Sequence, residues 1–337
     1  MFEDNAEFGL GLRLGWEQQN GEARRYVGEL SELIGADLAE ELLNADQSNE
    51  AGIAAQRGRV DLLKAQLSTL MSDSTVILQA SAVKHLRSLA DELVEKTVWI
   101  VGGDGWAYDI GYGGLDHVFG SGRNVNILIL DTEVYSNTGG QASKSTPRAA
   151  TAKYASSGKG TAKKDLGAIA QVYGDVYVAQ ISIGANEQQA VRAMIEAEAH
   201  QGVSVLIAYS TCIAHGIEMS TSMTHQKDAV ASGYWPLYRF RPSEDNEGHP
   251  FKLDSKKPTK PIREFALAET RFSMLARKDS ERSDHLLALA QADADERWKL
   301  YSQMAGMERT VAHEEVLVEP VEGDDAAGVP VPKVPAS

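Results

Sequence analysis

One stretch governs what this chain can fold into: Trp99 to Gln141, WIVGGDGWAYDIGYGGLDHVFGSGRNVNILILDTEVYSNTGGQ. The run from Thr97 to Gly102 is apolar and β-branched, as a buried parallel strand should be. It ends in Gly103-Asp104-Gly105, where two glycines permit a sharp turn and close approach of a ligand to the backbone. A helix is predicted from about Ala107 to Phe119, its free N–H groups placed to face a phosphate. A second strand, Val125 to Leu130, runs into Asp131-Thr132-Glu133-Val134-Tyr135-Ser136-Asn137-Thr138-Gly139-Gly140, a loop dense in oxygen atoms. Open α/β sheets bind ligands at the carboxyl ends of their strands. A carboxylate on one turn and hydroxyl, carbonyl and amide oxygens on the next make a site for a hard cation such as Mg²⁺. The plainer alternative is an ordinary βαβ unit in which Asp104 caps the helix.

The same alternation resumes further on. Asp165 to Tyr173 suits a helix, Val176 to Ile183 a strand, Glu187 to His200 a helix and Val203 to Tyr209 a strand. The expected fold class is therefore α/β, a doubly wound, mostly parallel sheet. Its turns would bring Asp104, the Thr132 to Asn137 loop, Gly184-Ala185-Asn186 and Ser210-Thr211-Cys212 to one edge. Before the sheet, Arg24 to Asn44, Ala54 to Met71 and Val76 to Val94 show helical spacing, with breaks at Gln47-Ser48-Asn49 and Ser72-Asp73-Ser74. His85 lies alone on a helix and reads as packed or solvated. After the sheet, Tyr234 to Phe240 reads as an edge strand, Ser243 to Pro261 as a surface hairpin or loop, Ile262 to Lys278 as one helix and Ser283 to Met304 as a closing helix. We divide the chain into 1–96, a loop and helical segment of the same domain; 97–308, the ligand-binding α/β domain; and 309–337, an acidic, Pro-rich and disordered tail.

Composition excludes several classes. A net charge of −15 argues against a general nucleic-acid binder, whose affinity comes from neutralising phosphates. The 337 residues contain one cysteine, Cys212, so no disulfide framework exists within the chain, and reduced, cytoplasmic conditions suit it. No apolar run is long enough to span a bilayer.

GDG followed, at the next strand tip, by Asn137 is the motif that binds thiamine diphosphate and Mg²⁺. The fuller wording, GDGWAYDIGYGGLDHVF and LDTEVYSNTGGQASKSTPRAA, resembles the pyruvate:ferredoxin (flavodoxin) oxidoreductase family. The resemblance covers Met1 to Trp16 and Trp99 to Met304. Many thiamine enzymes carry Asn-Asn at the second site; Asn137-Thr138 departs from that pattern but fits this family. The resemblance implies that Asp104, Thr132 and the Val134 carbonyl hold Mg²⁺. It further implies that Gly103, Asp104, Gly105, Trp106, Thr132, Glu133, Val134, Tyr135, Ser136 and Asn137 line the cofactor, with Asn137 also reaching the reacting centre. The implied reaction is oxidative decarboxylation of pyruvate to acetyl-coenzyme A, electrons passing through iron–sulfur clusters to ferredoxin or flavodoxin.

The resemblance also implies a piece of a larger assembly. In the family a segment like FEDNAEFG lies inside the thiamine domain, and the pyrimidine-side Glu belongs to a separate N-terminal domain. The chain is expected to be inactive alone and to work with upstream domains or a partner subunit, in a homodimer of the full enzyme. A non-oxidative 2-oxo acid decarboxylase and a non-catalytic thiamine-binding or assembly fragment are the alternatives.

Two features admit several readings. Cys212, in YSTCIAHGIEM, is by its residues a small buried hydrophobe, a thiol paired with His215, or half of a Cys-x-x-His metal site. The resemblance implies instead one of four thiolates on a 4Fe-4S cluster, the other three lying outside this chain. The loop SKSTPRAATAKYASSGKGTAKKD carries Lys144, Arg148, Lys153, Lys159, Lys163 and Lys164 in an acidic protein. It reads either as solvated surface or as a basic patch for coenzyme A phosphates or an acidic electron carrier.

Overall fold

The computed structural model describes residues 5–72, 78–242 and 248–308. Asn5 starts the first element by accepting the Phe8 amide at 2.9 Å, and helix α1 then runs Ala6–Glu29. The opening loop expected here is thus helix. One of its glycines serves packing: a Cβ on Gly9 would sit 2.4 Å from Ile100. The helical pattern over Arg24 to Asn44 breaks twice, at Leu30 before α2 (Ser31–Ile34) and again before α3 (Ala36–Leu43), where Gly35 at φ +90° turns the chain. Asn49 caps α4 (Glu50–Leu70), as the break residues foretold, and α5 (Ala80–Leu89) follows. Asp73 and Ser74 of the second break lie outside the described residues. These helices pack on one another around Val27, Leu42, Leu63, Leu67 and Leu86, a core of their own. The helix α1 joins that core to the sheet, since Ala6 and Leu10 belong to the sheet's core. His85 is exposed and stacks on Tyr26.

The strands β1 (Trp99–Gly103), β2 (Val125–Asp131), β3 (Tyr177–Ile181), β4 (Val203–Tyr209), β5 (Tyr238–Phe240) and β6 (Phe251–Leu253) form one sheet of order β1-β2-β4-β3-β5-β6. The first four are parallel; β5 and β6 add antiparallel at one side. The segment expected as an edge strand, β5, is therefore interior, and β6 is the edge. Alternation on β2 sends Val125, Ile127, Ile129 and Asp131 into the main core.

Between β1 and β2 the predicted helix is divided. A π-helical turn, Trp106–Ile110, precedes α6 (Tyr112–Phe119). Next come α7 (Leu166–Ala170) and α8 (Glu187–Ala199). Helix α9 (Ser222–Ala231) starts later than Gly216. The single helix expected over Ile262 to Lys278 is two, α10 (Ile262–Leu267) and α11 (Thr270–Lys278), parted at Glu269, whose carboxylate is fully buried. The closing helix α12 spans Ser280–Met304. The tail expected to be disordered, 309–337, lies outside the described residues.

On one face of the sheet α8 packs over β3 and β4, burying Tyr177, Ala179, Ile181 and Leu206. On that same face β1 and β2 stay open, with Val101 and Leu130 exposed. Among the described residues no helix is long and apolar enough to cross a membrane.

Candidate thiamine diphosphate and metal site

Strand register assembles the site. Gly103 pairs with Leu130, and Asp131 pairs with Tyr209. Three chain segments therefore leave the sheet side by side: Asp104 after β1, Thr132 after β2, and Ser210 to Cys212 after β4. Two glycines keep the first segment close to its neighbours. A Cβ on Gly102 would meet the Trp106 ring at 2.4 Å, and one on Gly105 would meet the Tyr135 ring at 2.4 Å. Gly103, by contrast, faces open space.

Asp104 is almost completely buried, and both its oxygens are occupied. Oδ1 accepts from the Thr132 amide at 3.1 Å and the Thr132 hydroxyl at 2.7 Å. Oδ2 accepts from Ser143 Oγ at 3.1 Å and from Ser145 Oγ. Thr132 Oγ1 also lies 3.1 Å from the Val134 carbonyl and 2.8 Å from Ser136 Oγ. One carboxylate, two hydroxyls and a carbonyl thus meet within hydrogen-bond distance. All are hard oxygen donors, the chemistry that Mg²⁺ prefers. No group of three or more His, Cys, Asp and Glu able to hold a metal occurs among the described residues, which leaves a one-carboxylate set. Trp106 and Val134 are buried, whereas Ser136 and Asn137 are exposed at the loop tip.

Below these oxygens lies a buried ionic network that sequence reading missed. Lys163 Nζ donates to Asp131 at 2.7 Å, to Glu133 at 3.2 Å and to the Ser145 carbonyl at 3.0 Å. Arg271 donates to Glu133 at 2.7 Å and to Glu269 at 2.5 Å. His225 joins Glu269 at 2.6 Å, Tyr108 donates to Asp131 at 2.7 Å, and Tyr234 donates to Glu133. Burial opposes ionisation of Glu133, yet Lys163 and Arg271 hold its carboxyl down at about 2. Asp131 has no arginine beside it. Burial, with the Asp104 and Glu133 charges, pushes it up to about 7 against the pull of Lys163. The Glu133 side chain, expected to line the cofactor, is committed to this network; its backbone alone flanks the oxygen cluster. The one local signal was Glu269-Thr270-Arg271, two charges inside an otherwise amphipathic helical pattern.

Cys212 is not a buried hydrophobe. It is half-exposed, and its Sγ lies 3.3 Å from Ser136 Oγ, beside the oxygen cluster. His215 is fully buried and takes no part in thiol activation. Its Nδ1 accepts the Cys212 amide at 3.4 Å and its Nε2 donates to the Thr132 carbonyl at 2.7 Å. Burial and then Arg271 push the imidazole down to about 4, in keeping with that neutral tautomer. Gly184 and Asn186 are used elsewhere: Gly184 donates to Gln226, and Asn186 caps α8.

The lysine-rich loop is neither plain solvated surface nor a free basic patch. Lys163 sits inside the network just described. Lys159 donates to the Ser143 and Lys144 carbonyls at 3.0 and 3.3 Å. Arg148 pairs with Asp293, and Lys164 lies over the Tyr112 ring. These cations fasten the loop that carries Ser143 and Ser145 under Asp104. The Lys153 side chain is exposed next to Gly139, with no ion pair among the described residues.

Residues 78–208 match the family described as thiamine pyrophosphate enzyme, C-terminal TPP binding domain. A pyruvate-flavodoxin oxidoreductase of Trichormus variabilis is 52% identical over 92% of this chain and 26% of its own length. One from Rhodospirillum rubrum is 52% identical over 91% of this chain and 25% of its own. The pyruvate:ferredoxin oxidoreductase of Moorella thermoacetica is 44% identical over 90% and 26%. The chain spans about a quarter of the length of the relatives it matches. By sequence it matches the thiamine diphosphate-binding portion of the pyruvate:ferredoxin (flavodoxin) oxidoreductases.

Proposed function

We propose that this chain supplies the diphosphate- and Mg²⁺-binding half of an enzyme that oxidatively decarboxylates pyruvate to acetyl-coenzyme A and passes electrons to ferredoxin or flavodoxin. The observation that carries the reading is the convergence of Asp104, Thr132 and the Val134 carbonyl at adjacent strand tips, with Cys212 one hydroxyl away. In this reading the three oxygens take Mg²⁺, leaving its other positions to phosphate oxygens and water. Ser143 and Ser145 orient the Asp104 carboxylate from behind. The open turn at Gly103, with Gly105 and Trp106, forms the wall for the diphosphate. Asn137, exposed beyond Ser136, is the group of this loop best placed to extend toward substrate. Thiamine diphosphate, when bound, supplies the electron sink that lets carbon dioxide leave a 2-oxo acid.

Cys212 is assigned one thiolate of a 4Fe-4S cluster. Such a cluster takes four thiolates, and this chain has one cysteine. The remaining ligands, and the pyrimidine-side base, then come from the rest of a cytoplasmic, homodimeric assembly. The uncovered faces of β1 and β2 suit that need, because parallel strands are normally covered on both sides. Titrating thiamine diphosphate into the chain with and without Mg²⁺ tests the core of this reading: saturable binding that depends on Mg²⁺ supports it, and its absence removes it.

A further inference from the structure

Glu133 is one of three non-glycine residues with a left-handed backbone among the described residues, at φ +60°. A glutamate there is strained and persists only where surrounding contacts over-determine it. Those contacts are present on every polar group of the residue. Its amide donates to Asp131 at 3.1 Å, its carbonyl accepts from Thr146 at 2.7 Å, and its carboxylate takes Lys163, Tyr234 and Arg271. Its neighbours on either side are Thr132 and Val134. The left-handed turn at 133 is what brings the Thr132 hydroxyl and the Val134 carbonyl within 3.1 Å of each other.

Among these contacts Arg271, like Tyr234, comes from a distant segment of the chain. It lies 138 residues away, at the start of α11, and is itself fixed. Its Nε is bonded to Glu269, which is in turn held by His225. Its carbonyl accepts both the amide and the hydroxyl of Thr151, at 2.8 and 2.7 Å. Lys163 Nζ is shared between Glu133 and Asp131, and the Arg271 guanidinium between Glu133 and Glu269, with Nη2 also 3.3 Å from the Tyr234 hydroxyl.

We propose that Arg271 is a positioning residue for the metal loop: by clamping the Glu133 carboxylate it holds the left-handed turn that aims Thr132 Oγ1 and the Val134 carbonyl beside Asp104. The metal part of this proposal rests on the reading of those oxygens as Mg²⁺ ligands. Outer partners of this kind change metal affinity by about 10- to 100-fold when removed.

The test uses the full chain, with Mn²⁺ in the presence of thiamine diphosphate as the spectroscopic probe and amide hydrogen exchange at residues 132 and 133 as a second readout. Arg271→Met should speed exchange at both amides and weaken Mn²⁺ by about tenfold while circular dichroism stays native. Adding Glu133→Gly should then restore both readouts, because glycine takes φ +60° without a clamp. Unchanged exchange and affinity in folded Arg271→Met, or a double variant no better than the single one, would overturn the proposal. Should Arg271→Met not fold, Arg271→Lys, which can reach one acid but not both, is read the same way. A wild type that takes no Mn²⁺ removes the metal reading; the amide rates still decide whether Arg271 holds the turn.

Discussion

The Thr132 hydroxyl donates to Asp104 Oδ1 at 2.7 Å, although 28 residues separate them. The contact is a product of sheet register. With Gly103 beside Leu130, the next residues of both strands emerge at one level. The site depends on that shared level, and on small residues that let the two turns touch.

Gly105 is where the fit is tightest. A Cβ there would stand 2.4 Å from the Tyr135 ring, far inside contact distance. Gly105→Ala should displace Tyr135 and the loop behind it, lowering stability by about 1–3 kcal/mol, the usual range for overpacking. Gly103→Ala meets open space and should leave the fold's stability nearly unchanged while narrowing the turn. Chemical denaturation of the two variants checks the contrast; equal effects would mean that Tyr135 does not rest on Gly105.

Lysines of one loop should differ sharply. Lys163→Met leaves Asp131 without its buried cation and Glu133 with Arg271 alone, and breaking a buried pair costs about 3–5 kcal/mol. Lys153 is exposed, so Lys153→Met should stay within about 0.5 kcal/mol of wild type. Urea midpoints at constant slope measure both.

His215 sets a pH dependence. Burial and Arg271 lower its folded-state pKa from 6.5 to about 4. Between those values the unfolded chain binds a proton that the folded chain does not, so stability falls as pH drops from 6.5 toward 4 and this contribution levels off below. Wild type should therefore lose more stability across that window than His215→Gln. Parallel curves for the two proteins would show that His215 titrates normally.

Much of the fold was legible because its signals are local. Val125 to Leu130 and Val203 to Tyr209 are apolar runs of strand length between turn residues, and both are strands. Asn49 and Asn186 cap helices where the pattern changes. What escaped was set by tertiary partners. Glu269 breaks a well-spaced helical stretch because its carboxylate is needed inward, by Arg271 and His225. Tyr234 to Phe240 looked like an edge because nothing local announces that Phe251–Leu253 returns to pair with it. In the site, a carboxylate at Asp104 and an oxygen-rich loop after the next strand were readable from the residues, whereas singling out Thr132 and the Val134 carbonyl needed the family resemblance. Lys163 was read as outward-facing because a lysine in a polar loop gives no sign of two acids buried beneath it. His215 was linked to Cys212 by spacing alone, whereas its ring nitrogens serve the Cys212 amide and the Thr132 carbonyl.

The most direct measurement is a calorimetric titration of thiamine diphosphate into wild type and Asp104→Asn, each with and without Mg²⁺. The substitution keeps the shape of the side chain and removes the charge that a divalent ion needs. Saturable binding by wild type only when Mg²⁺ is present, and none by Asp104→Asn under either condition, is the expected result. Binding that ignores Mg²⁺, or that survives in Asp104→Asn, would contradict the assignment of Asp104 and Thr132 to a shared metal.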